Sequence, residues 1–281
     1  MATNYDKIRQ ENIRGYGEFT HHLELLGRLY ADPTHFIFEL LQNAEDAGAK
    51  KVKFSLYPDR LEFLNDGRSF TEADVHGICA IGKGTKTQDL TQIGKFGIGF
   101  KSVYAHTSNP QIYSGLEQFR IEHYVRPYAE DRRSVPSPWT TLFVLPFHQP
   151  SVSYAQIAAK LERLDTTPLL FLKSLREIEW SLEGGQPGLF IREAEACGTG
   201  QLIRIVAQRG KKETDEEWLL FARQLPLDAY PHDNLLPEHK KLRVEIGFLV
   251  RRSSPDSKIT ITRIPSSPLV VTQDELDKAQ T

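Results

Sequence analysis

The sequence predicts a mixed α/β fold, arranged as one large domain or two of ordinary size. With 281 residues, 40% of them hydrophobic, the chain has enough apolar material for a sizeable core. Several segments carry apolar residues at helical spacing, and short segments of alternating apolar and polar residues indicate strands between them. Turn residues such as Gly48 and Pro58 separate the two kinds of segment.

The composition argues against several classes of protein. The formal net charge is −2, whereas a protein dedicated to nucleic acid normally carries a basic excess, so nucleic acid is unlikely as a partner. Cys79 and Cys197 are far apart and have no metal-binding spacing, which favours free thiols in a reducing compartment. The N-terminus lacks an apolar signal region, and no apolar run is long enough to span a membrane. We therefore expect a soluble cytoplasmic protein with no membrane partner.

The N-terminal elements are two helices and a hairpin. The pattern predicts a helix over residues 5–30, then a second one that begins near Asp32-Pro33-Thr34 and ends at Gly48. Residues 52–57 alternate like a strand, and residues 61–64 return as its antiparallel partner. This hairpin is expected to place the polar sequence that follows it at the end of a strand.

That polar sequence is Asn65-Asp66-Gly67, a turn, and a capping box at Thr71 and Asp74 then starts a helix that reaches about Ile81. Residues 82–93 are polar, without apolar periodicity, and predict a mobile loop. Further helices are predicted at 97–104, 154–164 and 168–175, and further strands at 111–113, 118–125, 140–145, 177–182, 189–192, 202–207, 218–221 and 242–250.

A polar stripe marks the second helix, whose sequence at residues 39–47 is ELLQNAEDA. Glu39, Asn43 and Asp46 have i, i+4, i+7 spacing and so lie on one face, among apolar neighbours such as Leu40 and Leu41. A carboxylate in apolar surroundings needs a polar partner. Glu39 can polarise a water molecule, and Asn43 can offer a neutral oxygen to Mg²⁺, which takes only one or two protein ligands beside phosphates. The alternative is a surface helix with ordinary polar residues.

A glycine-rich segment, IGKFGIGFKS at residues 93–102, follows the polar loop. Glycines permit close backbone approach, and amides where a loop enters a helix bind phosphate. A Rossmann fingerprint is excluded because no buried strand precedes the segment. A phosphate loop nearly appears at residues 77–83, but Gly84 occupies the position of the required hydroxyl. The helix stripe and the glycines together indicate a nucleotide with its metal ion.

These motifs, in this order, resemble the GHKL ATPase superfamily of gyrase, heat-shock chaperones, histidine kinases and MutL. The segments FIFELLQNAEDA at 36–47 and LLFLKSL at 169–175 further resemble its sacsin-type branch. The specific likeness covers about residues 32–145, with a looser one to about 175. It implies a Bergerat-type, two-layer α+β sandwich with a mostly antiparallel sheet, and ATP and Mg²⁺ as ligands.

The resemblance also implies roles for individual residues. Glu39 is similar to the family's general base and Asn43 to its Mg²⁺ ligand, while Asp46 supports the neighbouring loops. Asn65 stands where the family has the aspartate that reads the adenine amino group, and Asp66 replaces it if the turn is shifted by one residue. An asparagine oxygen still accepts a hydrogen bond but lacks the charge of a carboxylate. Further nucleotide contacts are implied at Gly67, Phe70, Lys83, Thr85, Gly94, Gly97, Ile98, Gly99, Phe100, Lys101 and Thr141.

Two of these positions have alternatives. Lys101 faces either the ligand or solvent, and Thr141 is either a neighbour of the base or an ordinary strand threonine. His35 lies one helical turn before Glu39, where it can tune the carboxylate. Lys83 and Thr85 belong to the predicted ATP lid.

The resulting prediction has residues 1–165 as an ATP-binding domain and residues 166–281 as a smaller C-terminal α/β extension, which we interpret as an abbreviated transducer-like domain. The expected activity is ATP binding with slow Mg²⁺-dependent hydrolysis coupled to lid closure. A protein partner or self-association is expected to use this closure. The alternative is a nucleotide sensor or scaffold that binds without turnover.

Overall fold

The computed structural model describes residues 3–21, 23, 32–81, 99–226, 241–251 and 260–261. The chain divides into two compact units, the first formed by Met1–Leu164 with Lys173–Leu189, the second by Asp165–Leu172 with Phe190–Thr281. Within the described ranges, no helix is both long and apolar enough to cross a membrane.

Among the residues that the structure describes, the first unit has four α-helices, a 3₁₀ helix and seven strands. The helices are α1 Tyr5–Tyr16, α2 Phe36–Asp46, α3 Glu72–Cys79, the 3₁₀ helix Gly99–Ala105 and α4 Pro150–Glu162. The strands are β1 Lys51–Leu56, β2 Arg60–Asn65, β3 Gln111–Ser114, β4 Glu117–Glu122, β5 Arg126–Ala129, β6 Thr141–Pro146 and β7 Glu177–Leu182. Their order in the sheet is β7-β1-β2-β6-β3-β4-β5, in which β1 and β7 pair in parallel and the other pairs are antiparallel.

The second unit is built on long antiparallel strands. It contains helix α5 Thr167–Phe171 and the strands β8 Gly188–Cys197, β9 Gly200–Arg209, β10 Lys212–Pro226, β11 Lys241–Arg251 and β12 Thr260–Ile261. The order β12-β11-β10-β9-β8 follows the chain, as expected for hairpins. Leu219 and Val250 are buried in a small core of this unit, and Thr166 donates a hydrogen bond of 2.9 Å to Glu216.

Most predicted elements of the first unit are confirmed. The hairpin pairs Phe54 with Phe63 in antiparallel register. The capping box is present, because Thr71 accepts from the amide of Asp74 while the Asp74 carboxylate accepts from that of Thr71. Helix α2 ends before Gly48, whose φ of +74° is a left-handed conformation that glycine adopts without strain. A mixed α/β architecture dominated by a sheet, consistent with α+β, is thus the observed class.

Several predicted boundaries are wrong, and the helix predicted over 168–175 ends at Phe171, because Leu172 is extended. The first helix ends at Tyr16 instead of reaching residue 30, because Gly17 adopts a φ of +88° and its amide bonds back to Ile13. The strand predicted over 118–125 ends at Glu122, since His123 and Tyr124 have φ values of +48° and +68° and form a turn between β4 and β5.

The two faces of the sheet in the first unit contact different parts of the protein. Phe143 of β6 pairs with Phe63 of β2, and the ring of Phe100 from the 3₁₀ helix lies 5.8 Å from it. Successive strand residues point to opposite faces, so Leu142 lies on the other face, where it packs with Tyr113. The face that contacts the 3₁₀ helix also carries Asn65 and Thr141, two residues for which the sequence predicts a nucleotide contact.

Candidate functional site

Glu39 and Gly99 are in direct contact. A Cβ atom built on Gly99 would lie 1.8 Å from Oε2 of Glu39 and 2.9 Å from Oε1, a space that only glycine leaves free. The Glu39 side chain is 12% exposed, so its carboxylate is sheltered but retains access to water. The structure therefore brings the acidic helix and the last glycine of the glycine-rich segment together.

His35 supports the same carboxylate. Its Nε2 lies 3.3 Å from Oε1 of Glu39, one helical turn further on, and its ring contacts that of Phe38. An imidazole in this position fixes the carboxylate rotamer and leaves the second oxygen, Oε2, beside Gly99. The suggested pairing of His35 with Glu39 is thus present as a contact.

The turn at residues 65–67 packs against the other end of α2. A Cβ on Gly67 would lie 2.9 Å from both Cβ and the carbonyl oxygen of Ala47, and the amide of Arg68 donates to that same carbonyl at 2.9 Å. Ala47 comes eight residues after Glu39, which corresponds to about 12 Å along the helix axis. Helix α2 is thus flanked by the Gly99 contact near its start and by this turn at its end.

Asn65, and not Asp66, is the buried side chain of the turn. Asn65 is 4% exposed, and its Oδ1 accepts from the amide of Gly67 at 3.2 Å. Asp66 instead points to the start of β1, where Oδ1 accepts from the amides of Lys50 and Lys51 at 2.7 and 2.9 Å. The backbone is therefore not shifted by one residue, and Asp66 does not take the place of Asn65.

A polar row crosses the sheet beside this turn. Asn65, Thr141 and Ser114 are successive cross-strand partners on β2, β6 and β3. The hydroxyls of Thr141 and Ser114 are 2.5 Å apart, and Ser114 also accepts from the amide of Phe70 at 2.9 Å. Both hydroxyls are buried. The row therefore places polar groups at the ends of these three strands, next to the turn at residues 65–67. The Phe70 ring packs 5.9 Å from that of Phe143.

Lys101 takes neither of the two positions expected from the sequence. Its side chain is fully buried, and Nζ donates to the carbonyls of Ile78 and Tyr124, both at 2.5 Å. Burial lowers the pKa of Lys101 to about 8 and raises that of the neighbouring Cys79 thiol to about 12. The ammonium satisfies a carbonyl at the end of α3 and one in the left-handed turn, which is a structural role.

The remaining predicted positions divide into two groups. Asn43 and Asp46 are half-buried on α2. No group of three or more His, Cys, Asp or Glu side chains is arranged to hold a metal in the part of the chain that the structure describes. An amide oxygen such as that of Asn43 still fits Mg²⁺, which is completed by phosphate oxygens and water. The predicted contacts that lie outside the described residues are Lys83, Thr85, Gly94, Gly97 and Ile98.

Sequence reasoning missed two residues that shape this region. Ser114 completes the polar row, and only the strand register reveals it. Glu45 leaves α2 and accepts from the amides of Lys173, Ser174 and Leu175 at 2.8 to 3.0 Å, which fixes the approach to β7. The sequence shows that Glu45 is polar, but it does not reveal which distant amides the carboxylate binds.

Comparison with known proteins finds a family match in the N-terminal part of the chain. Residues 17–124 match the family model described as Sacsin domain. Human sacsin is 33% identical over a segment that covers 38% of this chain and 3% of sacsin. Protein NO VEIN of Arabidopsis thaliana is 34% identical over 34% of this chain and 4% of its own length.

These matches support a sacsin-type family. The family model covers the segment that contains Glu39, Asn65 and Gly99. The chain spans only a few per cent of the length of the curated relatives it matches. A solved structure described as the N-terminal domain of a DNA repair protein has a TM-score of 0.42 and 12% identity, over 67% of this chain and 70% of that chain.

Proposed function

We propose that the first unit is a GHKL-type module that binds ATP with Mg²⁺ along α2 and hydrolyses it slowly. The observation that carries the proposal is the contact between the Glu39 carboxylate and Gly99. A general base belongs beside the backbone that holds the phosphates, because the attacking water must reach both. An ordinary surface helix would not need a glycine at that point.

Each residue then has a defined task. Glu39 orients and deprotonates the water, and His35 holds the carboxylate through the 3.3 Å contact. Asn43, one turn after Glu39, would provide an amide oxygen to hold Mg²⁺, which when bound would supply charge neutralisation for the phosphate oxygens. Asn65, with the polar row of Thr141 and Ser114, receives the base at the opposite end of α2. In this assignment Lys101 supports the scaffold and does not bind phosphate.

The test compares Glu39→Gln with the unaltered protein in a Mg²⁺-dependent phosphate-release assay. We expect the rate to fall by about 10²–10⁴-fold, the usual contribution of a general base, while ATP binding persists. Glu11→Gln, which changes an exposed glutamate of α1, is the matched control and should keep full activity.

The alternative is a sensor or scaffold that holds ATP without turnover, and the asparagine at position 65 favours it. A neutral amide lacks the charge-assisted hydrogen bond that the family's aspartate provides. If ATP binds but phosphate release equals that of Glu39→Gln, the enzyme is excluded and this alternative stands. If calorimetry detects no ATP binding, both fail. A protein partner or self-association, and a cytoplasmic location, stay predictions.

A further inference from the structure

A second concave site lies in the first unit, away from α2. It is a cavity of about 540 Å³ whose wall includes Arg132, Arg133, Trp139, Ser69 and Val135. No residue of α2 or of the 3₁₀ helix lines it. It is therefore distinct from the part of the proposed ATP cleft around Glu39 and Gly99, while its Thr140 donates to the carbonyl of Gly67 and adjoins the end proposed for the base.

The strand register places this cavity on the opposite face of the sheet. Val135 packs against the cluster of Tyr113, Leu142 and Val144. These residues alternate along β3 and β6 with those that face the 3₁₀ helix, such as Phe143. Gln118, another lining residue, pairs directly with Tyr113 and so shares its face.

The charge of the cavity wall is positive. Its lining includes two arginines and no aspartate or glutamate. Arg133 is held in place, because its Nη2 donates to Glu62 at 3.0 Å and its amide donates to Gln118 at 2.8 Å. Arg132 is exposed and makes no ion pair or hydrogen bond with any residue that the structure describes.

Nearby carboxylates do not cancel this charge completely. Glu62 is shared between Arg133 and Arg60, whose Nε lies 3.1 Å from the same oxygen. Glu130 pairs with Arg120 at 2.9 Å. Asp131 is exposed beside Arg132 in the chain, but it does not line the cavity. Arg132, a lining residue, thus has no carboxylate partner among the residues that the structure describes.

The half-buried indole of Trp139 forms another part of the wall. An indole offers a flat apolar surface to a planar ring, and a guanidinium fork matches the oxygens of a phosphate or carboxylate. Hydroxyls such as that of Ser69 can add hydrogen bonds to the same oxygens. We propose that this cavity binds a small ligand in which an oxyanion, best a phosphate monoester, is attached to a planar ring.

The proposal is tested by calorimetric titration of the full chain with phenyl phosphate, inorganic phosphate and benzyl alcohol. Phenyl phosphate should bind saturably and more tightly than inorganic phosphate, and benzyl alcohol should not bind measurably. Comparable affinity for phenyl phosphate and inorganic phosphate would show that the ring makes no contribution, and no saturable binding of phenyl phosphate would remove the site altogether.

Variants locate the binding. Arg132→Gln should weaken phenyl phosphate by about tenfold or more, because a charge-assisted hydrogen bond is lost. Arg132→Lys should recover part of the affinity, since it keeps the charge but not the fork. Arg14→Gln, an exposed change on α1, is the matched control and should leave the affinity unchanged. Equal affinities of Arg132→Gln and Arg14→Gln would overturn the assignment. Arg132 is exposed, so thermal unfolding should be the same for all variants.

Discussion

Asn65 determines which groups a base would meet at the end of α2. Its Oδ1 is used by the amide of Gly67 at 3.2 Å, so the amide nitrogen is the other polar end of this buried side chain. Asn65→Asp should supply a second, charged acceptor for the amino group of adenine. We expect ATP affinity to rise by about fivefold to tenfold, the difference between a neutral and a charge-assisted hydrogen bond.

Calorimetric titration of both proteins with ATP and GTP measures this effect. GTP has a carbonyl oxygen in place of the amino group, so it should gain nothing from the substitution. A gain shared equally by ATP and GTP, or no gain for either, would show that position 65 does not contact the base.

Gly99 is the position at which the site leaves no room for a side chain. A Cβ atom there would overlap Oε2 of Glu39 at 1.8 Å, so Gly99→Ala must displace the carboxylate or the 3₁₀ helix. We expect phosphate release to fall at least about tenfold, since a shift of around 1 Å at a reacting group has large effects. Gly15→Ala is the control, because nothing lies within 4 Å of its Cβ. That change in α1 should stabilise the protein by about 0.5–1 kcal/mol. Unchanged activity of Gly99→Ala would separate Gly99 from the chemistry.

At the scale of elements, His106 joins three segments. It follows the 3₁₀ helix, its Nε2 donates to the carbonyl of Pro33 ahead of α2 at 3.1 Å, and its Nδ1 accepts from Ser153 of α4 at 3.0 Å. Burial lowers the pKa of His106 from 6.5 to about 4, a shift that the nearby His148 reinforces and Asp32 opposes. The imidazole is therefore neutral where the three segments meet.

This shift makes the free energy of unfolding depend on pH. Between pH 6.5 and 4 the unfolded chain binds a proton at His106 that the folded chain does not, so stability decreases as the pH falls through this window. The contribution reaches about 3 kcal/mol at the acidic end. His106→Gln should remove this dependence, whereas His76→Gln, on the half-exposed surface of α3, should keep it. The free energy of unfolding of the three proteins is measured by urea unfolding at pH 7 and pH 4.5. An equal loss of stability at pH 4.5 in His106→Gln and in the unaltered protein would contradict the assignment.

The elements that the sequence predicts correctly are those with local signals. The capping box at Thr71, the hairpin and the glycine after α2 each depend on residues within a few positions of one another. The errors occur where a local pattern lacks that information. Leucines at residues 23–29 suggested a continued helix, but the conformation of Gly17 ended α1. The turn at His123 and Tyr124 includes a bulky tyrosine at a positive φ, a residue type that rarely adopts a left-handed backbone.

At the scale of the whole molecule, the candidate site joins parts of the chain that are distant in sequence. The motifs around Glu39, Asn65 and Gly99 could each be found from the sequence. The resemblance to the GHKL superfamily then indicated that they belong to one site. Their contacts could not, because they depend on how α2 lies against the turn and the 3₁₀ helix. Lys101 is the clearest example: a lysine after a glycine-rich segment suggests phosphate, yet distant carbonyls at Ile78 and Tyr124 determine its place.

Hydrogen exchange of the full chain tests the whole assignment at once. Nucleotide that binds only the folded first unit should slow amide exchange in α2, in the turn at residues 65–67 and in the 3₁₀ helix, since these elements contact one another around Glu39 and Gly67. At about 100 times Kd, openings that abolish binding should become about 100-fold rarer, or about 2.7 kcal/mol less favourable. Strands β9 and β10 belong to the other compact unit and serve as the internal control. Glu39→Gln should keep the same protection, because it removes hydrolysis and not binding. Protection confined to β9 and β10 would place the nucleotide in the second unit and refute the assignment to α2.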